Sequence, residues 1–323
     1  MTSTPDHNRG IVLMLVAMVL FTLNDAIGKW LVATYPVGQL LAIRSFAALA
    51  VLLPIAWRNG DLKRIMLIQQ PGLQVLRLVL VIAEVSCFYW SVKFLPLADV
   101  FMFYLASPLF LTVFSVIFLH EHVGIRRWAA LGVGFLGVIF IFPPSDAVLS
   151  LPALVALGGS VALALMLTLT RSLSSGTGGL TLITLQTLAV GLAGLSTLLV
   201  APLIPELVWA TPDLLDFSLL CLLGFVATSA HFMMNSAVTS APSAVVAPFQ
   251  YTSIVWAIIL GYLIWDDFPR TQAFIGTSLI IGSGLFVLYR ERKKKLVPLD
   301  WQPISDTSFE LDLKITDEGR PVS

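Results

Sequence analysis

Charge is what this chain has least of. Asp, Glu, Lys and Arg together make up 12% of its 323 residues, against about 25% in a soluble domain. With 57% hydrophobic residues and a mean hydropathy of +0.90, the chain reads as an integral membrane protein rather than a soluble domain with a large core. Neither sign of charge is in excess, so nothing favours a nucleic-acid partner. Cysteine is nearly absent. Cys87 and Cys221 both lie in apolar segments and imply neither a disulfide frame nor a metal site. There is no glycine-rich phosphate loop, so direct ATP coupling is not expected and no cofactor is implied. Strict alternation of polar and apolar residues is missing too, which argues against a strand barrel. His120, Glu121 and His122 resemble a metal cluster, but at i and i+2 on a helix the two imidazoles point apart.

What the chain does have is ten apolar segments. They run roughly over 11–30, 37–57, 73–94, 97–119, 126–142, 150–170, 180–201, 217–238, 242–264 and 273–289. A membrane-spanning helix needs about 20 residues at 1.5 Å each. Proline, glycine and charge mark the breaks, as at Pro36, Gly60, Pro96 and Pro143. The expected fold is an all-α integral membrane protein of ten transmembrane helices. Residues 1–9 form a short cytoplasmic N-terminus, and the first helix is read as retained rather than cleaved. Residues 290–323 form a cytoplasmic tail, basic over Arg290 to Lys295 and polar and acidic beyond it, with the composition of a disordered spacer.

Basic residues set the orientation. With the N-terminus inside, the inside receives Arg9, Arg58, Lys63, Arg64, Arg126, Arg127, Arg171 and the Arg290–Lys295 cluster. The outside receives only Lys29, Lys93 and Arg270. Both termini are therefore expected in the cytoplasm. Trp30, Tyr35, Trp57, Trp128, Trp265 and Tyr289 fall near helix ends, where an aromatic belt would sit.

The halves resemble each other. Arg44 aligns with Gln186, and Lys29 with Arg171, at an offset of 142. Pro96, Leu97 and Ala98 align with Pro242, Ser243 and Ala244 at an offset of 146. The fourth helix of each half ends in an acid, Glu121 or Asp267, followed by Gly132 and Gly137 or Gly276 and Gly282. Five helices per half is an odd number, so the second half enters from the opposite side, as in an inverted repeat. The repeats are 10–142 and 150–289. On these residues the chain resembles the drug/metabolite transporter superfamily, in particular its EamA-type members. The resemblance implies a secondary transporter of a small organic metabolite in a bacterial inner (plasma) membrane. The stretch Asn24, Asp25, Ala26, Ile27, Gly28, Lys29 is similar to a bacterial subgroup associated with riboflavin or S-adenosylmethionine uptake.

Candidate site residues follow from charges inside apolar helices. Such a charge costs at least about 2.5 kcal/mol at the helix centre and faces a partner or a water-filled cavity. From helical rise, Asp25, Arg44 and Glu84 lie at about 8, 11 and 13 Å below the outer boundary. They are expected around one cavity, with Arg44 as a bidentate clamp. Asp25 and Lys29, at i and i+4, are also spaced for a local ion pair. Arg77, Glu84, Cys87, Phe88 and Ser91 form a polar stripe down one face of the third apolar segment. Burial raises a carboxyl's proton affinity and a nearby guanidinium lowers it, so Glu84, with Asp25 second, is the candidate carrier of a coupling proton. Gln186 and His231 sit at about 9 Å from the inner boundary. Tyr89, Trp90, Tyr104, Gln250, Tyr251 and Trp256 supply aromatic faces and hydrogen bonds suited to a planar or amphipathic solute. For many of these aromatics ordinary helix packing is the competing explanation.

The leading reading is alternating access driven by a proton gradient or by exchange. An exporter of amino acids or drugs with the same fold is the alternative. A membrane-embedded lipid-modifying enzyme and a channel or scaffold are readings of other classes. Besides the metabolite, the bilayer is the only implied partner; an oligomeric state is not legible.

Overall fold

The computed structural model describes residues 7–59, 70–119, 125–141, 150–173, 179–240 and 246–293. Every regular element among them is helical. In chain order they are α1 (His7–Val32), α2 (Val37–Arg58), α3 (Pro71–Phe94), α4 (Leu97–Tyr104), α5 (Ser107–Leu119), α6 (Ile125–Ile141), α7 (Leu151–Leu173), α8 (Gly179–Val200), α9 (Leu214–Ser240), α10 (Thr252–Trp265) and α11 (Thr271–Lys293). Among the described residues, eight spans are long and apolar enough to cross a membrane, and shorter apolar stretches cover Trp128–Ile141 and Thr271–Phe286. The helical stretch of α11 continues the last apolar segment through Lys293. The His120–His122 motif and the tail from residue 294 onward lie outside the described residues.

The fourth apolar segment crosses as one span in two pieces, α4 and α5. Pro108 explains the break. It has no N–H to offer Tyr104 four residues back, and its ring crowds that carbonyl. The chain passes the gap on three-residue bonds, from Ala106 N–H to the Phe103 carbonyl and from Leu109 N–H to the Ala106 carbonyl. A short 3-10 turn over Ala247–Tyr251 precedes α10 in the same way.

Helices pack mainly between the halves of the chain. α1 lies on α9, α3 on α7, α2 on α8 and α6 on α11. α5 also touches α7, α1 touches α10, and α4 touches α10. Small residues allow the closest of these approaches, as expected where lipid offers no hydrophobic drive for association. Along α2 and α8 the contacts run antiparallel: Gly38 faces Thr197, Ala42 faces Gly194, and Ser45 faces Gly191. Likewise Gly137 of α6 meets Gly276 of α11 backbone to backbone. Several buried hydroxyls bond within their own helices, as in Thr22 to the Met18 carbonyl and Thr168 to the Ala164 carbonyl, whereas those of Thr181 and Thr277 have no partner among the described residues.

Outward faces are apolar. Leu192, Leu195, Leu198 and Leu199 on α8, and Val133, Leu136, Ile139 and Phe140 on α6, are all exposed. In water such a band would be an aggregation surface, whereas hydrocarbon covers it at no cost. Trp30, Trp57, Trp128 and Tyr289 are exposed at or near helix ends. Tyr35 departs from that belt. It is buried, and its hydroxyl donates to Asp216 at 2.7 Å.

Long-range contacts define two ends of the bundle. At the upper end, Lys29 reaches Asp267 and the Leu95 carbonyl, Gln39 exchanges two bonds with the backbone of Ala210, and Ser91 donates to the Pro152 carbonyl. At the lower end, Arg77 of α3 reaches the start of α8.

Candidate functional site

Tyr89 is the centre of the polar interior. It is buried on α3, and its ring rests over Gly28 of α1, where any Cβ would collide with it. Phe88 makes edge-to-face contacts with Tyr89, Phe101 and Tyr104, at centroid distances of 5.3, 5.9 and 5.2 Å. Such pairs fix ring orientation as well as burying area.

Three side chains from two helices, α1 and α2, converge on the Tyr89 hydroxyl. Arg44 of α2 donates to it at 2.6 Å and stands with its guanidinium 5.2 Å from the ring centroid. Asn24 donates to it at 3.1 Å and also to Asp25 Oδ1 at 3.1 Å. The hydroxyl itself donates to Asp25 Oδ1 at 3.4 Å. No direct ion pair within 4 Å joins Arg44 to Asp25 or Glu84. The phenol thus relays between guanidinium and carboxylate, and the opposite charges are held near each other without neutralising contact. Glu84 lies within electrostatic reach of both Asp25 and Arg44, and its carbonyl accepts the Tyr104 hydroxyl at 3.0 Å. Asp25, Arg44 and Glu84 are each half-buried.

The second half contributes His231. It sits edge-to-face on Phe21 of α1 at 4.9 Å and within electrostatic reach of Arg44. Trp256 of α10 is half-buried, with its indole N–H enclosed and unpartnered. Tyr251 packs against Gly284.

Other expected members are placed elsewhere. Gln186 is held by Arg77 at the lower end, at 3.2 Å. Trp90 packs on Phe94 at 4.8 Å toward the upper end, and Gln250 is exposed. Lys29 pairs not with Asp25 but with Asp267, at 3.2 Å. The i and i+4 spacing permits a local pair, but Asn24 and Tyr89 occupy the Asp25 carboxylate while Lys29 lies 4.6 Å over the Trp265 ring.

Two functional candidates escaped the sequence reading. Asn24 carries no charge and drew no notice beyond its place in a motif, although it is buried and its Oδ1 has no partner. Arg77 appeared only as part of the stripe on α3, yet its side chain is 1% exposed with no acid bound to it. Helical rise alone would not have flagged it, since it lies only about one turn, about 6 Å, inside its apolar segment; its burial comes from α8.

A profile of the EamA-like transporter family matches residues 8–142 and again residues 150–289. The chain belongs to the EamA-like transporter family. Among curated relatives of this EamA-like transporter, an S-adenosylmethionine uptake transporter of Rickettsia prowazekii is 23% identical over 284 residues, covering 88% of this chain and 94% of the relative. A riboflavin transporter of Vibrio cholerae is 24% identical over 290 residues, covering 88% and 95%. A riboflavin transporter of Brucella anthropi is 27% identical over 252 residues, covering 76% and 85%. A crystal structure with 16% sequence identity shares the fold at a TM-score of 0.61, covering 88% of this chain and 98% of that one. With its apolar spans, the chain is a multi-pass membrane transporter of a small metabolite.

Proposed function

We propose that the chain is a secondary carrier that works by alternating access between two inverted five-helix repeats, 10–142 and 150–289. Three features support this architecture. The family profile matches each half separately. The helix pairings map onto themselves when the halves are exchanged: α1 on α9 becomes α7 on α3, and α5 on α7 becomes α10 on α1. The equivalent helices α2 and α8 pack antiparallel, as an odd number of crossings per repeat requires. Lysine and arginine placement then puts the upper end outside and both termini in the cytoplasm of a bacterial inner membrane.

The observation that carries the substrate reading is the Asp25–Tyr89–Arg44 relay with Glu84 beside it. Two carboxyl groups and one guanidinium face each other inside the bilayer without direct pairing. A solute bearing both an amino-acid head and a further positive centre supplies the missing partners: its carboxylate to Arg44, its cationic groups to Asp25 and Glu84. An S-adenosylmethionine-like zwitterion has that pattern, and the Rickettsia relatives carry that name. Riboflavin, the name carried by other relatives, is neutral and leaves the charges unmatched. His231, Phe21, Tyr104 and Trp256 offer aromatic faces for a planar ring. Glu84 is the proton carrier in this scheme, with Asp25 second.

Counterflow in proteoliposomes tests the reading. Vesicles preloaded with unlabelled S-adenosylmethionine are expected to accumulate labelled S-adenosylmethionine transiently and saturably, and riboflavin to compete poorly. Saturable riboflavin counterflow that excess S-adenosylmethionine leaves untouched would sink the zwitterion assignment while keeping the carrier.

A further inference from the structure

Two cations tie the halves of the chain together at opposite ends of the bundle, each reaching from the first half to the second. At the upper end, Lys29 of α1 bonds Asp267 at 3.2 Å and the Leu95 carbonyl at 3.2 Å, and lies over the Trp265 ring. The pair is largely shielded, its side chains 11% and 33% exposed. Asp266, in the left-handed conformation, ends α10 and turns Asp267 back onto Lys29. At the lower end, Arg77 of α3 donates to Gln186 Oε1 at 3.2 Å and to the Leu182 carbonyl at 3.0 Å, both on α8, and to Gln74 Oε1 on its own helix.

We propose that Lys29 and Arg77 are the two gate residues of the transport cycle, Lys29 holding the upper mouth shut through Asp267 and Arg77 holding the lower mouth shut through α8. The proposal rests on the carrier reading, which requires each end to open in turn.

The chemistry of the gates differs. The upper one is an ion pair with Asp99 and Arg270 in electrostatic reach, a balanced set of two acids and two bases. Water entering an opening mouth solvates both partners, so the pair parts at modest cost. The lower gate is a buried guanidinium held by three neutral oxygens. Moving α8 away removes two of them and leaves the charge facing the opened path. Arg77 lies on Glu84's face of α3, two turns below it, so it meets a solute leaving the central site. Gln74 Nε2 is buried beside it without a partner. A carboxylate on the departing solute replaces the lost oxygens, drawing on the Arg77 fork and the idle Gln74 amide.

Cys87 provides the test. It is half-buried, one turn above Glu84 and against Gly159 of α7. In a Cys221→Ser background it is the single thiol, and a membrane-impermeant maleimide reports access to it from either face in right-side-out and inside-out vesicles. Lys29→Gln is expected to speed labelling from one face by about ten-fold, and Arg77→Gln from the other, since closed carriers open only as minor states. Asp267→Asn and Gln186→Leu, which remove the partner instead, should reproduce the same sidedness if either first variant folds poorly. Acceleration from both faces alike, or none in variants that elute as monodisperse protein, overturns the gates. Counterflow in the same vesicles separates the two readings. Transport by the unmodified chain with unsided labelling defeats the gates alone. Sided labelling with no counterflow of S-adenosylmethionine or riboflavin supports the gates and defeats the carrier assignment for those solutes.

Discussion

Tyr89 does what a direct ion pair would do in a simpler design. It sits between Arg44 and Asp25 and leaves both with hydrogen-bonding capacity, which the proposed scheme assigns to the solute. Tyr89→Phe keeps the ring over Gly28 but strips the shared hydroxyl. Arg44 and Asn24 each lose an acceptor, and Asp25 loses a donor. Leaving such groups short inside the membrane costs about 1–3 kcal/mol. A lower melting temperature in detergent and at least about ten-fold slower counterflow are expected. An unchanged rate would remove the relay from the mechanism. The Glu84 side chain makes no ion pair within 4 Å among the described residues, and only its backbone carbonyl serves Tyr104. In the proposed scheme Glu84→Gln abolishes the response of uptake to an imposed proton gradient while exchange persists. Uptake by that variant that still follows the gradient would transfer the coupling role to another group.

At the scale of elements, the seam between α2 and α8 is one of the four most extensive contacts between the halves. A Cβ on Gly194 would stand 2.5 Å from the Gly38 carbonyl oxygen and 2.6 Å from the Ala42 nitrogen, both backbone atoms that cannot swing aside. Gly194→Ala is therefore expected to push the helices apart at a cost of about 1–3 kcal/mol, read as a drop in melting temperature. Gly132, with open space where its Cβ would go, is the control. A second element-scale contact joins the turn after α1 to the start of α9. The hydrogen bond to Asp216 pushes the Tyr35 hydroxyl up to about 12. A raised value in the folded chain means the contribution is intact below the unfolded value of about 10 and is lost as pH climbs through the folded one. Stability should thus fall more steeply between pH 10 and 12 than in Tyr35→Phe, as followed by thermal melts across that range. Parallel curves for the two proteins would assign the contact no part in the alkaline transition.

For the whole molecule, the proposed orientation has a direct consequence. Ten crossings return the chain to its starting side, so tags at residue 1 and after residue 323 should be protected together in right-side-out vesicles and cleaved together in inside-out ones. Opposite protection would require an odd number of crossings and would dissolve the inverted repeat. The gates and the site belong to the same scale: the central charges come from α1, α2 and α3, all in the first half, while the groups that shut the ends come from both halves.

Much of this was legible in the sequence, and for one reason. Hydrocarbon leaves a chain few choices, so continuous apolar runs report helices and spans, and rare charges within them report a polar interior. Membrane class and helix positions came from that alone, as did the choice of Asp25, Arg44 and Glu84 as neighbours in depth, while the family resemblance rested on motifs: Arg44, the acids Glu121 and Asp267 with the glycines after them, and Pro96 and Pro242 with Ala98 and Ala244. Partners were another matter. Spacing offered Lys29 the nearby Asp25, but the fold gave it Asp267, 238 positions away. Tyr89 read as one aromatic among many until the packing of α1 and α2 on α3 made it the shared partner of three polar groups. Arg77 read as one member of a stripe until α8 enclosed it. Helical periodicity fixes which face a side chain occupies, whereas which helix lies opposite that face is decided by how small-residue seams let helices approach, and that is a property of the assembled bundle.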